Sequence, residues 1–506
     1  MIAKTMMVMG TSSSVGKSLL TAALCRCFAR RGIRVAPFKS QNMSNNAAVC
    51  SDGAEIGRSQ GLQAIAAGIA PHSDMNPILL KPEGDTRSQV IVNGRPLESL
   101  DAHDYFQRRQ QLWPHVTAAL DRLRSRYQLI VIEGAGSPAE LNLQGVEMVN
   151  MSVARYCRSP VLLIGDIERG GIFAQLLGTL WLLPPEDRAL VQGLIVNKFR
   201  GDLSLFDSGV EILKKRGGVD VLGVLPWIHG LHLPEEDAVA LSEPMAGSET
   251  ASGHRLDIAV IQLPHIANFD DFDPLVAEAC VDLRYVRSAD QLGSPDVLIL
   301  PGTKNTIGDL RWLRESGLAI KIMNLAESGT RVVGVCGGYQ MLGVSIANPL
   351  GLEGSETTAD GLGLLKITTT FEKEKQTRQV DLQIIDEAIV PGLVGESVSG
   401  YEIHVGRTKT GSAWLSCEGA FDGAHSCGGR VWGCYLHGLF HNDRFRRAWL
   451  STLCDPDTFI ESTSAHERLQ TSLDKLADTF EAHVRFDRLM EILFNPIPIQ
   501  GAQHVG

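Results

Sequence analysis

The chain has 506 residues, 44% of them apolar and 21% charged, and a formal net charge of −11. That length exceeds what one hydrophobic core holds, so two or more domains are expected, and the acidic balance, with no basic run and no basic–aromatic face, excludes a general nucleic-acid binder. The ten cysteines form no CxxC pair and no stretch is long enough to span a membrane, so a disulfide framework, a zinc module and a membrane partner drop out and a reducing, cytoplasmic setting is expected.

The first half alternates short apolar runs with helical patterns. Residues 5–9 (TMMVM), 33–37 (IRVAP), 128–132 (QLIVI), 160–165 (PVLLIG), 192–196 (QGLIV) and 221–225 (VLGVL) are continuous runs of the kind that strands covered on both faces show. Over 17–30, Leu19, Leu20, Ala23, Leu24, Cys27 and Phe28 make one helical stripe, and Gly32 supplies the stop. This alternation predicts an open, mostly parallel α/β sheet over residues 1–235.

Strand 5–9 runs into GTSSSVGKS, residues 10–18. A small-residue loop between strand and helix turns backbone N–H groups toward a polyphosphate, and the helix N-terminus adds partial positive charge. In this reading Gly10, Thr11, Ser14, Val15 and Gly16 form an ATP cradle, Lys17 reaches the β/γ-phosphates and the Ser18 hydroxyl ligates Mg²⁺. Gly10 lies one residue further from Gly16 than in the common loop, and Thr11 takes the usual glycine place. The metal also needs a carboxylate. Glu133 ends strand 128–132, where open α/β sheets bind ligands, and Glu55 and Asp52 in SDGAEIGRSQ are further candidates. Asn197 in VNKF is placed either to read an adenine edge or simply to turn the chain.

Residues 236–254 (EDAVALSEPMAGSETASGH) break the pattern and read as a linker. A second α/β series follows over 255–455, with strands at 256–261, 281–286, 296–300 and 331–335 and β-rich segments near 364–370, 380–385 and 431–436. Residues 456–506 form an extension, helical over 471–493.

Strand 331–335 ends at Cys336, followed by Gly337, Gly338 and a helix-forming run. A lone cysteine is more often a buried packing residue. A sharp strand-to-helix turn instead exposes it as a nucleophile, and the helix N-terminus favours its thiolate. The Gly337 N–H is then placed to stabilise an oxyanion, with the backbone of Gly302 and Thr303 in LILPGTKNT completing the hole. Such a cysteine needs a base, and RVWGCYLHG brings His437 to a strand end. His404 in GYEIHVGRT is a weaker rival.

GVCGGYQMLG with a downstream YLHG resembles the class I glutamine amidotransferase domain, in which the cysteine attacks the glutamine side-chain amide and releases ammonia. The third member in that class is usually a Glu two residues after the His. Leu439 stands there, as in the cobyrinic acid amidase branch, which leaves the orienter of His437 open. Further segments, among them PFKSQNMSNN, GAEIGRSQ, NPILLKP, GDTRSQVIVNG, EGAGSPAELNL, DIERGGIFA and CYLHGLFHN, extend the resemblance over nearly the whole chain, to the cobyric acid synthase family of cobalamin biosynthesis. That resemblance implies a dethiobiotin synthetase-like P-loop domain followed by a class I amidotransferase-like α/β domain. It also implies ATP- and glutamine-dependent amidation of the b, d, e and g carboxylates of adenosylcobyrinic acid a,c-diamide. Cobalt then enters only inside the substrate.

An acidic enzyme must meet a polycarboxylate with local positive charge. Lys39, Arg58, Lys81, Arg87 and Arg169 are the candidates, and Asp166 is assigned to phosphate or metal. Two rival readings are an a,c-diamide synthase, with the same chemistry on other carboxylates, and a ParA/MinD-like ATPase switch. Such switches usually carry a second lysine in the P-loop, which GTSSSVGKS lacks.

Overall fold

The computed structural model describes residues 2–84, 86–143, 147–234, 255–354, 356–417, 419–454 and 463–494. The expected linker at 236–254, and residues 456–462 and 495–506 of the expected extension, lie outside the described residues.

Six parallel strands form the first sheet: β1 (Lys4–Gly10), β2 (Val35–Phe38), β3 (Leu129–Glu133), β4 (Val161–Asp166), β5 (Val191–Phe199) and β6 (Val221–Pro226). Their spatial order is β6-β5-β4-β1-β3-β2. β1, β3 and β4 are buried almost throughout, which is why their sequences are continuous apolar runs. The parallel register gathers the strand ends on one edge: Val8 pairs with Glu133, Gly10 with Ile164 and Asp166 with Asn197. Residues scattered over nearly two hundred positions of sequence thereby meet at one crevice. Helix α1 (Lys17–Arg30) leaves β1 through the P-loop, and α2 (Arg58–Ala66) packs beside it.

The second half repeats the device. β7 (Leu256–Ile261), β8 (Val281–Val286), β9 (Val297–Leu300) and β10 (Arg331–Val335) pair in parallel, and β10 is followed by the short helix α3 (Gly337–Met341). A long antiparallel pair comes next, β11 (Thr368–Ile384) with β12 (Ser397–Lys409). β13 (Ala424–Ser426) and β14 (Val431–Cys434) then complete the sheet, in the order β8-β7-β9-β10-β14-β13. In its core Trp432 meets Trp414, Phe445 and Trp449 edge to face, and Phe440 lies tilted against Trp449 with ring centroids 5.1 Å apart.

The expected separate strands near 364–370 and 380–385 correspond to parts of the single seventeen-residue β11. Its ends alternate buried and exposed residues, but its middle, EKEKQTR, is charged and carries no apolar period. Pairing with β12 and docking against the first half supply what the pattern lacks: Lys375 pairs with Glu55, and Gln379 Nε2 donates to the Val49 carbonyl at 2.8 Å.

The C-terminal helices α4 (Ala465–His483) and α5 (Phe486–Phe494) return to the first half. Leu473, Leu476 and Phe480 bury against the α1 side of its sheet, and Phe486 packs on Phe28 with ring centroids 5.3 Å apart. Arg26 and Arg30 of α1 pair with Asp474 and Asp478 at the rim. The buried side chains carry this contact, because ion pairs this exposed contribute about 1 kcal/mol or less each.

Candidate active sites

At the first turn, Ser14 and Gly16 take positive φ of 60° and 102°. A Cβ on Gly16 would lie 2.3 Å from Asn197 Nδ2, so only glycine fits there. Asn197 donates to the Val15 carbonyl at 2.8 Å and so buttresses the loop from β5. Lys17 Nζ donates to the Ser12 carbonyl at 2.8 Å and to the Gly136 carbonyl at 3.2 Å, which curls the side chain over the cradle. Thr11 Oγ1 donates to Gln175 Oε1 at 3.1 Å.

Glu133 is the hub beside this loop. Its Oε1 accepts from Ser18 Oγ at 2.8 Å and from Lys39 Nζ at 2.9 Å, and its Oε2 accepts from Gln63 Nε2 at 2.5 Å. Burial pushes the carboxyl up, but Lys39, Gln63 and Ser18 outweigh it and hold Glu133 below its ordinary value. A hydroxyl and an ionised carboxylate side by side are hard oxygen donors that fit Mg²⁺.

The other two metal candidates are placed differently. Glu55 is fully buried and gives one oxygen to Lys81 Nζ at 2.8 Å and the other to Lys375. Burial raises its carboxyl, yet Lys375 and Lys81 bring it down to about 2. Glu55 is thus a bridge between the two halves. Asp52 is an exposed turn residue whose Oδ1 accepts from the Ala54 N–H at 3.0 Å.

The second turn is tighter. Cys336 takes φ 52° and ψ −108°, in the left-handed half of conformational space that non-glycine residues rarely enter. A Cβ on Gly337 would lie 2.6 Å from Thr303 Cγ2 and 3.2 Å from the Thr303 nitrogen, and one on Gly338 would lie 2.0 Å from the Leu300 carbonyl oxygen. Both positions are stripped of side chains because α3 starts hard against the end of β9. Gly302 is equally confined, since its Cβ would meet His437 Cε1 at 2.9 Å. Cys336, His437, Gly302, Thr303 and Gly337 therefore line one cavity, together with Lys81 of the first half.

His437 is 1% exposed. Its Nδ1 lies 2.7 Å from Asp271 Oδ2, while Asp271 Oδ1 accepts from the Gly438 N–H at 2.7 Å. Burial pushes the imidazole down, but Asp271 and then Cys336 override it and raise the value to about 10. The thiol and imidazole thus face one cavity, with a carboxylate behind the ring, while the Cys336 Sγ itself donates to the Ile403 carbonyl at 3.5 Å. Asp271 is the orienter that the sequence left open. It lies 166 positions before His437, in NFDDFD, where a cluster of acids after a strand was the available signal. His404 stacks on Tyr435 with centroids 3.7 Å apart, its Nδ1 lies 2.8 Å from the Gly406 carbonyl oxygen, and it lines the same cavity.

Of the expected carboxylate-binding cations, three are engaged within the protein. Lys39 is buried on Glu133, Lys81 is buried on Glu55, and Arg58 pairs with Asp270 at 2.5 Å. The carboxylates that hold them lie far away in sequence and are themselves buried. Arg87 is 58% exposed, with only a loose 3.7 Å approach to Glu83, and Arg169 is exposed. Asp166 Oδ2 pairs with Lys198 Nζ at 2.9 Å, and that ammonium also donates to the Ser14 carbonyl at 2.8 Å. Lys198, unremarked in VNKF, thereby ties Asp166 to the phosphate loop.

Residues 6–238 match the CobQ/CobB/MinD/ParA nucleotide binding domain, and residues 257–445 match the CobB/CobQ-like glutamine amidotransferase domain. The chain is 55% identical over 463 residues to the cobyric acid synthase of Roseiflexus castenholzii, covering 90% of this chain and 92% of that one. It is 56% identical over 481 residues to that of Chloroflexus aurantiacus, covering 93% and 96%. To that of Herpetosiphon aurantiacus it is 53% identical over 504 residues, covering 97% and 99%.

Proposed function

The chain belongs to the cobyric acid synthase family, which makes it an ATP-dependent amidoligase, and on that premise we propose that its second half frees ammonia from glutamine for use by its first. The observation that carries this reading is the cavity shared by Cys336, His437 and Lys81, because it opens the nucleophile toward the nucleotide-binding half. The Cys336 thiolate attacks the side-chain amide carbon of glutamine. The C–N bond breaks as His437 gives its proton to the departing nitrogen, which leaves as ammonia. Water then cleaves the glutamyl thioester, releasing glutamate and restoring the thiol. Gly337, Gly302 and Thr303 supply the backbone N–H groups for the oxyanion, and Asp271 holds the ring so that Nε2 faces the sulfur.

In the first half, the N–H groups of residues 10–18 and the Lys17 ammonium hold the phosphates of ATP. Asn197 and Lys198 keep that loop in shape from β5. Ser18 and Glu133 are the residues that would hold Mg²⁺, whose charge offsets that of the polyphosphate when it is bound. A carboxylate is a poor acceptor for ammonia because its oxygen leaves badly. Transfer of the γ-phosphoryl group onto it gives an acyl phosphate, from which ammonia displaces phosphate. Free ammonia is mostly protonated at neutral pH, so a local supply matters. The substrate is adenosylcobyrinic acid a,c-diamide, amidated at its b, d, e and g side chains, and Arg87 and Arg169 are the exposed cations offered to its carboxylates. The setting is cytoplasmic; among the described residues no helix is long and apolar enough to cross a membrane.

The test is nitrogen-source dependence. Cys336→Ala should abolish amidation with glutamine and leave amidation with ammonium salts intact, with mass spectrometry of the corrinoid counting the amides gained by the diamide. Normal use of glutamine by Cys336→Ala overturns the nucleophile assignment, and a diamide that gains no amide overturns the substrate assignment.

A further inference from the structure

The loop that carries Asp271 is held from the other half of the molecule. Asn268 stands in the left-handed region at φ 53° and opens the tight turn Phe269–Phe272. Its backbone N–H donates to Asn46 Oδ1 at 2.6 Å, and its own Oδ1 accepts from the Ala47 N–H at 3.0 Å. That reciprocal pair, between residues 222 positions apart, secures a conformation that costs energy by itself. The Asn268 amide nitrogen also lies 3.4 Å from His437 Nε2. Two residues on, Asp270 is 1% exposed and receives Arg58 Nη2 at 2.5 Å. Asp271, next in line, orients His437.

Arg58 and Asn46 are themselves joined, the Arg58 N–H donating to the Asn46 carbonyl at 3.2 Å. Arg58 is also the first residue of α2, and five residues later the same helix presents Gln63 to Glu133 and to the Ser18 carbonyl. One nine-residue helix therefore touches the nucleotide site at Gln63 and the glutaminase loop at Arg58.

We infer that Arg58 and Asn46, residues of the nucleotide-binding half, are positioning residues for glutamine hydrolysis in the other half. Arg58 acts through Asp270 and Asp271 on His437, and Asn46 acts through Asn268. Without the guanidinium, Asp270 becomes a buried carboxylate with no counter-charge, and its loop must move or take up a proton. Either response displaces Asp271 from the imidazole. The inference rests on Cys336 and His437 being the glutaminase pair. Hydrolysis then depends on the docking of the two halves, which keeps ammonia release tied to the half that uses it.

The experiment uses the full chain and measures glutamine hydrolysis and ammonium-driven amidation side by side. Arg58→Gln should lower kcat for glutamine hydrolysis by about 10- to 100-fold, the size of effect that small misplacement of a catalytic group produces, with KM little changed and ammonium-driven amidation retained. Arg58→Lys should recover part of kcat. Arg58→Gln combined with Asp270→Asn should be no worse than Arg58→Gln alone, because the orphaned charge is gone. Wild-type kcat in Arg58→Gln, a loss confined to KM, or full additivity with Asp270→Asn overturns the inference. If Arg58→Gln loses both activities and its folding transition, Asn46→Ala and Asp270→Asn carry the test. Each should show the same kcat-only loss, and wild-type hydrolysis in both overturns the inference. Cys336→Ala run in parallel separates the two readings, since residual hydrolysis there removes the glutaminase assignment whatever Arg58 does.

Discussion

The turn after β1 and the turn after β10 both carry a buried parallel strand into a helix, and they distribute strain differently. At the first, positive φ is spread over Ser14 and Gly16, and the side chains around the loop bond to backbone carbonyls and to one another. At the second, the strain sits on the single residue Cys336. On the proposed function, the difference follows from what each turn handles. A polyphosphate is a diffuse charge, met by many N–H donors none of which is indispensable. A nucleophile is one atom that must be aimed, and its base must be aimed with it, so the second turn needs a rigid shell behind it. That shell is the buried His437–Asp271 pair and the loop that holds it.

If this contrast holds, the largest loss from a conservative change falls on the second site. Asp271→Asn keeps the shape but removes the charge that sets the His437 tautomer, and glutamine hydrolysis should fall by up to about 10⁴-fold in kcat while ammonium-driven amidation persists. A loss under tenfold would mean that another group orients the ring. At the first site the corresponding change is blunter: Lys17→Ala should cost amidation from either nitrogen source about 10²- to 10³-fold and leave glutamine hydrolysis running. Equal loss of hydrolysis would show that the two turns do not act separately.

A pH series sharpens the contrast further. Burial lowers His437, but Asp271 and Cys336 carry it from the ordinary 6.5 to about 10. A raised imidazole contributes stability that is complete below pH 6.5 and is lost as pH climbs toward 10. Urea midpoints should therefore decline over that window in the wild type, and the decline should flatten in Asp271→Asn. The smallest effect belongs to the exposed rim of the first site. On the proposed role of Arg169, Arg169→Ala should raise KM for the corrinoid about five- to tenfold, without altering glutamine hydrolysis.

Both turns are visible in the sequence because each is a local pattern, an apolar run, then small residues, then a helical stripe. GTSSSVGKS and VCGG carry their geometry in consecutive positions, and the parallel sheets around them follow from the same alternation. Long-range partners leave no such trace. Lys39, Lys81 and Arg58 look in sequence like a cationic patch for an acidic substrate, yet the fold pairs them with Glu133, Glu55 and Asp270. The charged middle of β11 carries no apolar period to mark it as a strand, and its Lys375 pairs with Glu55 of the first half.

The sequence alone determined the two parallel α/β cores, the small-residue loop ahead of Lys17 and the placement of Cys336 at a strand tip, since apolar period and turn chemistry act within a few residues. Only the tertiary structure decided that Asp271 stands behind His437, that Arg58 and Asn46 grip the loop of the other half, and that the C-terminal helices return to α1. Those pairings depend on register and docking between segments hundreds of residues apart, and a buried charge shows its partner only once both have left water.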